Sequence, residues 1–128
     1  MPGTKTAARI FDKKRGVINT SNIGTVTEDI AIPFRSATSF ILKVSARDTT
    51  AGTSYGAFFI KAGTISNPDN STCILNGSAD MITPIIAAGL AGCTLSVSAN
   101  GTNLRISVTP PISGDPMYWQ YEIEMIVN

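Results

Sequence analysis

Thr94-Leu95-Ser96-Val97-Ser98-Ala99-Asn100-Gly101-Thr102-Asn103-Leu104-Arg105-Ile106-Ser107-Val108-Thr109 decides the fold class. Leu95, Val97 and Ala99 alternate with Ser and Thr, as do Leu104, Ile106 and Val108 with Asn103, Arg105, Ser107 and Thr109. Period-two alternation puts all apolar side chains of a strand on one face and leaves the other wet. Asn100-Gly101 joins the two runs, and both residues tolerate positive φ, so the spacing predicts a β-hairpin.

The same pattern extends outward. Phe40, Leu42, Val44 and Ala46 alternate with Ile41, Lys43, Ser45 and Arg47. Trp119, Tyr121, Ile123, Met125 and Val127 alternate with Tyr118, Gln120, Glu122, Glu124 and Ile126. Further strands are expected within Thr25–Ile32, Ser54–Ile65, Thr72–Leu75 and Met81–Ile86, with a short helix over Met81–Leu90 as the alternative to the last. Breaks fall at Thr50–Gly52, Asn67–Asn70, Asn76-Gly77 and Gly89–Gly92. Short antiparallel strands at this spacing, about 7–8 of them, predict a single all-β domain, a β-sandwich or jelly roll. Its expected core joins Val44, Leu95, Val97, Leu104, Ile106, Trp119, Tyr121 and Ile123.

The chain has 128 residues, enough for one domain with a core of its own. Charged residues are 15% of it, against about 25% in ordinary soluble domains. Ser and Thr, 27 residues together, cover part of the surface. So low a charge suits a surface partly covered by neighbouring subunits, and Ile41 and Ile126 on otherwise polar faces point the same way. A homo-oligomer is therefore expected.

The first twenty residues read as a separate basic arm, with the β domain spanning residues 21–128. Lys5, Arg9, Lys13, Lys14 and Arg15 against Asp12 give the first fifteen residues +4, while the net charge of the whole chain is +1. Thr4–Arg15 has the pattern of a short helix stopped by Gly16, of a length marginal in water without a partner. Lys5, Arg9, Ile10, Phe11, Lys13, Lys14 and Arg15 are the candidate attachment residues: the apolar pair anchors and the cations meet carboxylates. Because no strand pattern depends on the arm, deletion of residues 1–15 is expected to leave the β domain folded. Docking on an acidic protein surface is the first reading of the arm, a disordered solubilising tail the second and nucleic acid the last, because only Phe11 is available to stack on bases.

Chemistry is sparse. The chain has no histidine, which removes Ser-His and Cys-His mechanisms and His-ligated metals. No phosphate-binding glycine motif occurs. Glu122 and Glu124 follow one another along one strand face instead of facing across a cleft, as a glycosidase pair must. Asp69 and Asn70 fit a turn better than a calcium loop. Cys73 and Cys93 are compatible with a disulfide, and better suit two buried free thiols in a protein made in a cytoplasm. Met1-Pro2-Gly3-Thr4 is not the start of a secretory signal, and Met81–Leu104 is too broken by Pro and Gly for a membrane span. The expectation is a non-enzymatic protein with no cofactor, no metal and no membrane or nucleic-acid partner.

Val44-Ser45-Ala46-Arg47-Asp48 followed by Gly52, Ser54 and a β segment resembles a stretch common in bacteriophage tail-fibre and virion surface domains. So does Asn100–Thr109 followed by a loop and Trp119-Gln120-Tyr121-Glu122-Ile123. The resemblance covers about residues 40–127. It departs at Pro110–Pro116, where those domains have a glycine and a short turn. The resemblance implies a virion part, often trimeric: a head decoration or cement protein, or a short fibre knob. Its partners would be capsid or tail proteins and further copies of itself, and its place the virion, after synthesis in the host cytoplasm. The alternative is a module that binds carbohydrate or a host receptor, with Trp119, Tyr118, Tyr121 and Tyr55 as its aromatic contacts.

Overall fold

The alternating runs become strands of two antiparallel sheets that pack as a β-sandwich. The computed structural model describes residues 10–21, 24–50 and 52–128. Nine strands follow in chain order: β1 (Ile10–Thr20), β2 (Val26–Ala31), β3 (Ser36–Asp48), β4 (Gly56–Asn67), β5 (Ile74–Asp80), β6 (Ile85–Ile86), β7 (Thr94–Asn100), β8 (Asn103–Thr109) and β9 (Met117–Val127). The larger sheet has the order β1-β9-β3-β4-β5, with β6 attached to β4. The smaller has the order β2-β8-β7. A 3-10 turn, Ala88–Leu90, precedes β7.

The core lies between the sheets. β8 contributes Leu104, Ile106 and Val108, all fully buried, with Leu95 of β7 and Ile30 of β2 beside them. The larger sheet answers with Leu42, Val44, Phe59, Trp119, Tyr121 and Ile123, while Val97 packs partly buried at the margin. Trp119 is 0% exposed. Its indole N–H donates to Thr20 Oγ1 at 3.0 Å, and its ring stacks on Phe59 with centroids 6.2 Å apart. A buried indole needs such a partner, because an unpaired N–H in the interior costs about 1–3 kcal/mol. Cys73 and Cys93 are buried free thiols, and burial pushes both thiol pKa values up.

The N-terminal segment departs from its expected form. Ile10–Arg15 is not helix but the first half of β1, and residues 4–9 of the expected helix lie outside the described residues. β1 pairs with β9 along its whole length, from Ile10 opposite Val127 to Thr20 opposite Met117. Eleven residues of ladder against a buried neighbour outweigh the weak intrinsic preference of a short isolated helix. The boundary drawn after residue 20 therefore marks no break in the sheet. Deleting residues 1–15 would strip half of β1 from β9. Gly16, expected to stop a helix, instead faces Tyr121, whose ring lies where a Cβ would project.

Two turns also move. The β7–β8 hairpin pairs Asn100 with Asn103, so its central residues are Gly101 and Thr102, one place beyond the expected pair. Gly101 has φ +56°, which suits a turn needing positive φ at its first central position. Asn76-Gly77 is no break at all. Thr64 pairs with Gly77 and Ile65 with Leu75, leaving Asn76 as the extra residue of a β-bulge. Of Met81–Ile86, only Ile85 and Ile86 are strand.

Candidate protein-contact face

The outer face of the larger sheet carries the residues that the alternation left over. Register aligns them in rows across the strands. Phe11, Ile126, Ser39 and Thr64 form one row across β1, β9, β3 and β4. Lys13, Glu124, Ile41 and Ala62 form the next, then Arg15, Glu122, Lys43 and Ile60. Phe11, Ile126, Ile41 and Ala62 thus run obliquely across four strands and line a groove of about 640 Å³. Phe11 is 72% and Ile126 40% exposed, so this apolar strip faces water. Rows of exposed apolar side chains on one sheet face are a common mark of a contact surface.

Charges of both signs flank the strip. Arg15 Nε donates to Glu122 Oε1 at 2.9 Å, and Lys13 Nζ lies 4.0 Å from the other oxygen. Lys43 Nζ lies 3.8 Å from Glu124. The Arg15 hydrogen bond holds the Glu122 carboxyl below its ordinary pKa, with Lys13 and Lys43 adding to the field and partial desolvation opposing it. Pairs this exposed contribute little to folding. They fix cations and carboxylates in alternating positions, and a partner surface must match that pattern to dock. The same charges protect β1, which among the described residues lies at the sheet edge with one side unpaired.

Of the attachment candidates, Phe11, Lys13 and Arg15 stand on this face, and Lys14 points to the opposite side of β1. Ile10 is the first residue of β1. Lys5 and Arg9 lie outside the described residues. The structure adds Ile41, Lys43, Ala62, Glu122, Glu124 and Ile126 on the same face. In sequence Glu122 and Glu124 simply follow one another along one strand face. Only register reveals that they stand between two strands bearing cations.

The aromatic residues divide differently. Trp119 and Tyr121 are core, and the Tyr121 hydroxyl donates to Glu28, whose own pKa is raised by burial. Tyr118 is half-buried beneath Arg47, whose guanidinium carbon lies 5.6 Å from the ring centroid. Tyr55 is exposed in the β3–β4 connection. The four do not assemble into one platform. No group of three or more His, Cys, Asp or Glu side chains that could hold a metal ion occurs among the described residues.

No family model matches the chain, and no curated protein does. Among solved structures, it is similar to the tailspike protein gp49 from Acinetobacter baumannii bacteriophage Fri1, described as a capsular polysaccharide depolymerase. That likeness has a TM-score of 0.49 and 18% identity, over 96% of this chain and 18% of the other. It is also similar to the Acinetobacter baumannii phage AM24 tailspike protein, with a TM-score of 0.44 and 10% identity over 97% of this chain and 27% of the other. The chain thus spans about a quarter or less of the length of these structures.

Proposed function

We propose that the chain is a non-enzymatic structural module of a bacteriophage virion surface, assembling with copies of itself and with neighbouring virion proteins. The observation that carries the assembly is the outer face of the larger sheet, where an exposed apolar strip crosses a ladder of paired charges. The virion setting comes from the resemblance of residues 40–127 to tail-fibre and virion surface domains. Within this reading a trimer is the favoured state. Phe11, Lys13 and Arg15 serve both attachment and self-association, because β1 places them on the same face as Ile126 and Ile41. A head decoration protein and a short fibre knob both fit such a module.

Light scattering coupled to size exclusion tests the assembly. A closed oligomer, converted to monomer by Ile126→Lys, is the expected result. A monodisperse monomer of the unaltered protein at micromolar concentration would remove the self-association. Binding to a glycan array by that monomer would instead favour a host-receptor module, and labelling of intact particles locates the protein on the virion.

A further inference from the structure

Asp48 ends β3, directly opposite Met117 at the start of β9. It is 1% exposed, an unusual place for a carboxylate. One oxygen, Oδ1, accepts the backbone N–H of Thr50 at 2.7 Å. The other, Oδ2, is buried and has no hydrogen-bond partner. The group it meets is a second acid, Asp115, whose carboxyl lies within hydrogen-bonding reach. Two acceptors face one another, and neither supplies a proton when both are ionised.

The surroundings are rigid and rich in oxygen. The N–H and hydroxyl of Thr49 both donate to the Pro116 carbonyl, at 2.9 and 3.1 Å, which pins the β3–β4 connection to the β8–β9 loop. The hydroxyls of Thr50 and Thr53 lie near the Asp48 carboxylate, and that of Ser113 near Asp115. The neighbouring cation, Arg47, lies over the Tyr118 ring. Burial opposes the Asp48 charge, but the Thr50 N–H and the Asp115 carboxyl together hold its pKa below the ordinary value. Asp115 is correspondingly pushed up by Asp48. A buried carboxylate oxygen with no hydrogen-bond partner beside a second carboxylate is costly, and a bound cation relieves both costs at once.

We propose that Asp48 and Asp115 bind one divalent cation of the calcium class between their carboxylates, joining the two loops at this end of the sandwich. Hard oxygen donors suit Ca²⁺ better than a metal that prefers nitrogen or sulfur ligands. Two carboxylates with hydroxyl and water ligands belong with the weaker calcium sites, whose affinities are about 10⁻⁴–10⁻³ M.

Thermal unfolding of the whole chain at about pH 7.5 tests this, comparing CaCl₂ with MgCl₂ and with NaCl at equal ionic strength. At about 10 mM CaCl₂ the melting temperature of the unaltered protein should rise by about 5 °C, and by less with the other salts. Asp115→Asn should stay folded, because its amide donates to Asp48 Oδ2 in place of the ion, and should lose the calcium response. An unaltered melting temperature in calcium would overturn the proposal. So would an equal response in Asp115→Asn, or stabilisation that follows acidification and ignores calcium, which would assign the gap to a shared proton.

Discussion

The two faces of β9 have the same backbone and opposite physical duties. Trp119, Tyr121, Ile123 and Met125 point inward and are enclosed, while Gln120, Glu122, Glu124 and Ile126 point outward into the rows shared with β1 and β3. On the inner face free energy comes from area removed from water, about 1.5–3 kcal/mol for each large side chain. The outer face contributes little to holding the fold, because its ion pairs are solvated and its apolar groups are only half covered. Residues that decide stability and residues to which the proposed association falls are therefore interleaved one by one along a single strand. A substitution at one position should leave the other property almost untouched.

Four substitutions press on that separation. Trp119→Ala should cost about 3–5 kcal/mol, since it empties the centre of the core and orphans the Thr20 contact. The melting temperature should then fall by about 10–20 °C. A small change would mean that the inner face does not control folding. Gly16→Ala should cost about 1–3 kcal/mol by forcing a methyl into the Tyr121 ring. Chemical denaturation would reveal it, and a neutral result would show that β1 can shift relative to β9. Ile126→Lys should stay within about 0.5 kcal/mol of the original stability, yet light scattering should report the loss of the oligomer. If it unfolds the protein, the two duties are not separable. The smallest effect belongs to Glu122→Gln. The Glu122 pKa is lowered in the folded state, chiefly by Arg15. Its stabilising contribution is therefore present above the unfolded carboxylate value and lost as pH falls through the lower folded value. Unfolding measured from neutral to acid pH should show a slightly shallower decline in the Gln variant than in the original.

The inner face was legible because alternation is a local signal that burial enforces residue by residue. Val44, Leu104, Ile106 and Trp119 were identifiable as core from their positions in the pattern. The outer face was legible only in fragments. Ile41 and Ile126 stood out against polar neighbours, but nothing local places Phe11 opposite Ile126 or Glu122 between Arg15 and Lys43. Those relations depend on register between strands distant in sequence. β1 was missed for a similar reason. Its charges resemble a solvated arm until β9 is beside it, and its Gly16 resembles a helix stop until Tyr121 covers it. The Asp48–Asp115 pair is also a product of register: the two acids meet where β3 and β9 begin their ladder.

β9 lies between β1 and β3 and pairs with both. The Arg15–Glu122 contact spans 107 residues of sequence. During translation, β1 and one edge of β3 must wait without a neighbour until the strand that separates them emerges from the ribosome. Long-range closure of this kind slows folding and leaves strand edges open to other chains in the interval. The lysines and arginine of β1 then act before the native state exists, because like charges on nascent chains repel one another while the edge is bare. The proposed association would thereby be postponed until β9 has closed the sheet.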